Sequence, residues 1–109
     1  MPYDEHLARR VRVQLEQLSG LVEKKMFGGI AFMINGNMAC GVNGEDLIVR
    51  VGPDQYQEAM TQPFVRVFDM TGRPMKGWIV IGPEGYESED RLRGWIQQGV
   101  AFAQSLPAK

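Results

Sequence analysis

Residues 30–42 read Ile-Ala-Phe-Met-Ile-Asn-Gly-Asn-Met-Ala-Cys-Gly-Val, a run that leaves little choice of local structure. Ile30, Phe32 and Ile34 alternate with Ala31 and Met33, the period-two signature of a β-strand. Asn35-Gly36 follows at once, and both residue types accept the positive φ of a two-residue type I′ turn. Met38, Cys40 and Val42 then alternate on the return strand, which predicts that these three share a face. Gly28-Gly29 lets the chain turn sharply into the hairpin, where a Cβ would clash.

The flanking sequence extends and covers this hairpin. Residues 4–19 have the helical pattern, with Asp4 as N-cap, Leu7, Ala8, Val11, Leu15 and Leu18 on one face, and Gly20 to close it. Glu23–Phe27 begins the sheet. Asn43-Gly44-Glu45-Asp46 is a second turn, and Leu47–Val51 is a further strand. Gly52-Pro53-Asp54 starts a short helix with Tyr56, Ala59 and Met60 on its apolar side, ended by Gln62-Pro63. Phe64–Phe68 and Gly77–Ile81 form another antiparallel pair, in which Gly72 and Pro74 shape the long loop. Ser88 caps the last helix, and Leu92, Trp95, Ile96, Gly99, Val100 and Ala103 run down it as one stripe. Gly99 there costs about 1 kcal/mol of helix propensity relative to alanine, so its expected role is to let backbone approach backbone.

The predicted order is thus α-β-β-β-β-α-β-β-α. Alternating strands joined by hairpins imply an antiparallel sheet with one covered face, and the terminal helices supply the cover. The expected class is α+β in two layers, one domain over residues 1–109; the pattern leaves strand order open.

Composition narrows the function. The formal net charge of −1 argues against a nucleic-acid binder working by bulk charge. A lone cysteine cannot form an internal disulfide, and the N-terminus lacks a signal-peptide pattern, so a cytoplasmic protein is expected. Nothing approaches the roughly 18 consecutive apolar residues of a membrane span.

Catalytic chemistry finds little support. Cys40 lies mid-strand among apolar neighbours, the setting of a small core residue, and His6 sits among charges in the first helix. Glu87, Glu89 and Asp90 read as a helix N-terminus and not a ligand set, so no metal or cofactor is expected. Gly28-Gly29 leads into a strand and lacks phosphate-loop spacing. Arg9, Arg10 and Arg12 read as a solvated helix face, paired as Glu5–Arg9 and Arg12–Glu16.

Binding residues are better represented. Lys24 and Lys25 precede the hairpin, and Arg73, Met75, Lys76 and Trp78 surround the second strand pair. Arg, Met and Trp are enriched where proteins meet. Arg73, Lys76 and Trp78 could also hold a nucleic acid by charge and stacking, a reading the acidic balance disfavours. The seven methionines favour an adaptable apolar surface, although Met also fills irregular cores.

Two motifs then resemble a known family. Lys24-Lys25-Met26-Phe27-Gly28-Gly29 running into Asn35-Gly36, and Gly72-Arg73-Pro74-Met75-Lys76-Gly77-Trp78, are together similar to the N-terminal domain of the TfoX (Sxy) competence regulators. The resemblance covers nearly the whole chain and implies a secretion-chaperone-like α+β fold. It also implies a stand-alone member without the family's C-terminal helical domain. Family regulators act in DNA uptake and transcription, with the cyclic-AMP receptor protein and RNA polymerase. The resemblance therefore implies a non-enzymatic regulatory module with a protein partner. A homodimer is also foreseen, because a short sheet leaves edges that want cover. The competing reading is a small-molecule-binding protein or enzyme with a cleft near Cys40, Tyr56 and Asp69.

Overall fold

The computed structural model describes residues 3–26, 28–69 and 75–108. Its first helix, α1 (Glu5–Leu15), is capped as the sequence predicts, the Asp4 carboxylate accepting from the backbone N–H groups of His6 (2.9 Å) and Leu7 (3.2 Å). The helix stops short of the predicted residue 19. Glu16 is its C-cap, and Leu18 donates to the Leu15 carbonyl in a turn yet still packs against the core.

Six strands follow the predicted order, interrupted by α2 (Pro53–Met60) and closed by α3 (Glu89–Ser105). They are β1 (Leu21–Met26), β2 (Gly29–Ile34), β3 (Asn37–Asn43), β4 (Asp46–Arg50), β5 (Val65–Val67) and β6 (Trp78–Ile81). Every pairing is antiparallel, in the order β1-β2-β3-β4-β6-β5. Asn35 (φ 53°) and Gly36 (φ 85°) form the β2–β3 turn with both central residues left-handed, as the Asn-Gly pair demands. β5 is shorter than the predicted Phe64–Phe68, because Phe64 sits at φ 66°, outside strand geometry.

All three helices feed one core on one face of the sheet. Leu7, Val11 and Leu15 of α1, Ala59 of α2, and Leu92, Trp95 and Ile96 of α3 meet Phe32, Cys40, Val42, Leu47, Val49, Ile79 and Ile81. The role expected for Gly99 is found: a Cβ there would overlap the Ala39 carbonyl oxygen and lie 3.2 Å from Val49 Cγ1. Polar ties lock the ends. Trp95 Nε1 donates to the Gly85 carbonyl at 3.0 Å, and the buried Asn37 amide donates to the Pro107 carbonyl at 3.0 Å.

Two expectations need correction. Arg12 pairs with Glu23 of β1 through two bonds (2.6 and 2.8 Å) and not with Glu16, since a planar guanidinium matches a facing carboxylate in two-point geometry. Arg10 reaches Glu89 of α3 (2.9 Å), so part of the basic helix face ties elements together. The second correction concerns β3. The pairing shifts between Phe32, opposite Cys40, and Met33, opposite Met38, leaving Ala39 as an extra residue. This bulge turns both Ala39 and Cys40 inward, each 0% exposed, and sends Met38 to the other face with Met33. Met38 therefore does not share a face with Cys40 and Val42. Its Cε instead lies where a Cβ on Gly41 would sit, 2.9 Å away.

Candidate interaction surface

The face of the sheet opposite the helices carries a run of apolar and aromatic side chains. Strand registers align its outward residues in rows across the sheet. One row runs Val22 (β1), Met33 (β2), Met38 (β3), then past the bulge to Arg50 (β4), Trp78 (β6) and Phe68, just beyond β5. At about 4.8 Å per strand the row is about 24 Å long. Val22 is 57% exposed, and Met33, Met38, Phe68 and Trp78 are half-buried. The next row is Lys24, Ala31, Gly41, Ile48, Val80 and Arg66, in which Ala31, Gly41, Ile48 and Val80 are buried between exposed Lys24 and Arg66.

The aromatic end of the row is held by stacking. Phe68 and Trp78 lie with ring centroids 5.9 Å apart and planes 29° off parallel. The Arg50 guanidinium sits 5.1 Å from the Trp78 ring and 5.1 Å from the Phe102 ring of α3, a cation between two π faces. The loop before β6 adds Met75 and Lys76. Met75 N–H donates to the Phe68 carbonyl (2.9 Å), and the Met75 carbonyl accepts from Trp78 N–H (3.1 Å). Gly77, at φ 95°, turns its carbonyl onto the N–H groups of Val51 and Gly52, which fixes the loop to the end of β4.

The structure thus brings Met75, Lys76 and Trp78 together and adds Phe68, Arg50, Met33 and Met38, which the sequence reading left out. Lys24 shares the open face but stands four strands from Trp78, about 19 Å away. Lys25 belongs to the helix side of β1, opposite Ile30. Gly72, Arg73 and Pro74 lie outside the described residues, as does Phe27. Of the other turn residues, Gly28 has φ 75°, and Gly29 packs so tightly that a Cβ would overlap the Val42 carbonyl.

Cys40, Tyr56 and Asp69 do not converge. Cys40 is wholly buried, and desolvation pushes its thiol up to about 12, the opposite of what a nucleophile needs. Tyr56 packs against the core from α2. Asp69 is exposed on the open face, in a depression of about 170 Å³ with Asp46, Ile48, Arg66 and Val80. No group of three or more His, Cys, Asp or Glu among the described residues could hold a metal ion. No helix among them is long and apolar enough to cross a membrane.

Comparison with known families matches the chain to the TfoX N-terminal domain over residues 13–103. No curated protein and no solved structure matches the chain.

Proposed function

Because the chain belongs to the TfoX N-terminal domain family, we propose that it is a non-enzymatic protein-interaction module acting in regulation, with the open face of its sheet as the docking surface. The observation that supports this reading most is the row of Val22, Met33, Met38, Trp78 and Phe68 on a face that none of the three helices covers. Methionines adapt to a partner's shape at small cost, and Trp with Arg supplies the residue types that dominate binding energy. The family is not a known enzyme family, which supports the non-enzymatic reading.

The family resemblance makes RNA polymerase and the cyclic-AMP receptor protein the partners to test. Binding of the full chain to each purified protein should be measured for wild type, Met38→Ser and Trp78→Ala, with thermal melts as folding controls. Loss of a hot-spot side chain costs about 2 kcal/mol or more, about a 30-fold drop in affinity. Binding to either partner that is unchanged in both variants would remove the open face as the docking surface. Binding to neither would remove the transcription-machinery reading. Binding to DNA alone, collapsing with salt, would replace the protein reading with a nucleic-acid one.

A further inference from the structure

A second surface emerges at the sheet's first edge. β1 pairs with β2 on one side only, and its residues 22–25 are exposed. The direction of its free hydrogen-bonding groups follows from one contact. Asn35 N–H donates to the Gly20 carbonyl (3.1 Å), and these two residues continue the β1–β2 register as a directly bonded pair. By alternation, even-numbered residues of β1 bond to β2, and Leu21, Glu23 and Lys25 turn their N–H and C=O groups outward. The opposite edge is poorer. β5 has three residues and is entered through the left-handed Phe64.

Lysines on an edge strand commonly repel incoming strands. Here Glu23 stands two positions from Lys25 on the same face, which makes the edge complementary to itself. When two antiparallel copies keep their helix sides together, opposed residues must have the same parity. The two longest registers then differ in charge. With Glu23 on the two-fold axis, carboxylate faces carboxylate, which is unfavourable. With Lys24 on the axis, Glu23 faces Lys25 of the second copy twice over. The one like-charge pair, Lys24 with Lys24, lies on the open face, where the long stems can splay into water. Glu23 already accepts from Arg12, but a carboxylate has about four lone-pair sites and can take Lys25 as well.

We propose that this chain forms a homodimer by antiparallel pairing of β1 with β1 of a second copy, Glu23 opposite Lys25 about a two-fold axis at Lys24. The result is one continuous sheet with the helices of both copies on the same side and both open faces on the other. This inference does not depend on the docking role of the open face.

The test is sedimentation velocity on the full chain across a concentration series, with four variants. Wild type should self-associate, and Lys25→Glu and Glu23→Lys should each weaken association at least about 10-fold by placing like charges opposite. An equimolar mixture of the two variants should recover the wild-type affinity, because both 23–25 pairs are again of opposite sign. Lys25→Pro removes an outward N–H without touching the β1–β2 ladder, so it should lose the dimer yet melt with the wild-type temperature at concentrations where the wild type is monomeric. A wild-type chain that stays monomeric throughout would overturn the proposal and identify the lysines as edge guards. A mixture no tighter than its components, or Lys25→Pro dimers as tight as wild type, would overturn it too. Trp78→Ala should leave self-association unchanged, which separates this result from failure of the docking surface.

Discussion

Replacing Gly94 and Gly99 with alanine, one at a time, should move stability in opposite directions although both lie inside α3. Each change gains about 1 kcal/mol of helix propensity. At Gly94 nothing lies within 4 Å of the added methyl, so the gain stands alone and the variant should be about 1 kcal/mol more stable. At Gly99 the methyl would overlap the Ala39 carbonyl oxygen, with the carbonyl carbon at 3.1 Å and Val49 Cγ1 at 3.2 Å. The clash is with sheet backbone, which cannot rotate away like a side-chain tip, so α3 must lift from β3. Overpacking of a tight core costs about 1–3 kcal/mol or more. With backbone as the obstacle the upper end applies, leaving Gly99→Ala about 2 kcal/mol less stable after the propensity gain. For a chain of 109 residues, 1 kcal/mol corresponds to roughly 4–6 °C in Tm. Calorimetry should therefore show a rise of roughly 5 °C for Gly94→Ala and a fall of roughly 10 °C for Gly99→Ala. Urea midpoints should shift in the same senses at constant slope. Gly99→Ala as stable as wild type would refute the close approach of α3 to β3.

The buried Cys40 and Tyr86 give two further outcomes. Burial pushes the Cys40 thiol from its ordinary 9.0 up to about 12, so the folded chain holds this proton where the unfolded chain has lost it. The contribution is complete below pH 9 and falls as pH rises toward 12, by about 1.4 kcal/mol per pH unit, or about 4 kcal/mol in all. Urea unfolding at rising alkaline pH should show a shallower decline for Cys40→Ala than for wild type, and a thiol reagent should label native protein only as fast as it unfolds. Identical pH slopes, or rapid labelling of folded protein, would contradict the sealed core. Tyr86→Phe removes the hydroxyl that donates to the Glu45 carbonyl and ties the turn before α3 to the β3–β4 turn. Its loss should cost about 1 kcal/mol in urea denaturation, since Glu45 lies where water can replace the hydroxyl; no loss would show that this tie contributes nothing.

Most of the fold was legible because each element announces itself within a few residues. Asn35-Gly36 can serve as the turn only with left-handed residues, and Asp4 and Ser88 satisfy the first N–H groups of their helices. Gly99 betrayed a tight contact through its cost in a helix. Strand order was not legible, since placing β6 inside β5 depends on α2 carrying the chain across the helix side of the sheet, and no local pattern encodes that crossing.

The open face was half-hidden for a more specific reason. Alternation assigns Met33 to it correctly, because β2 is regular up to its turn. Applied to β3, the same rule counts Met38 with Cys40 and Val42 and so places it in the core. One extra residue, Ala39, reverses that assignment. Its small side chain can turn inward together with Cys40, and Gly99 on α3 leaves room for the displaced backbone. The bulge and the glycine are therefore two halves of one arrangement on elements sixty residues apart. Ala39 brings its carbonyl toward the helix, and Gly99 receives it without a Cβ. The same displacement hands Met38 to the outer row. A surface feature of β3 is thus set by the packing of α3 on the other side of the sheet, which is why reading β3 alone could not find it.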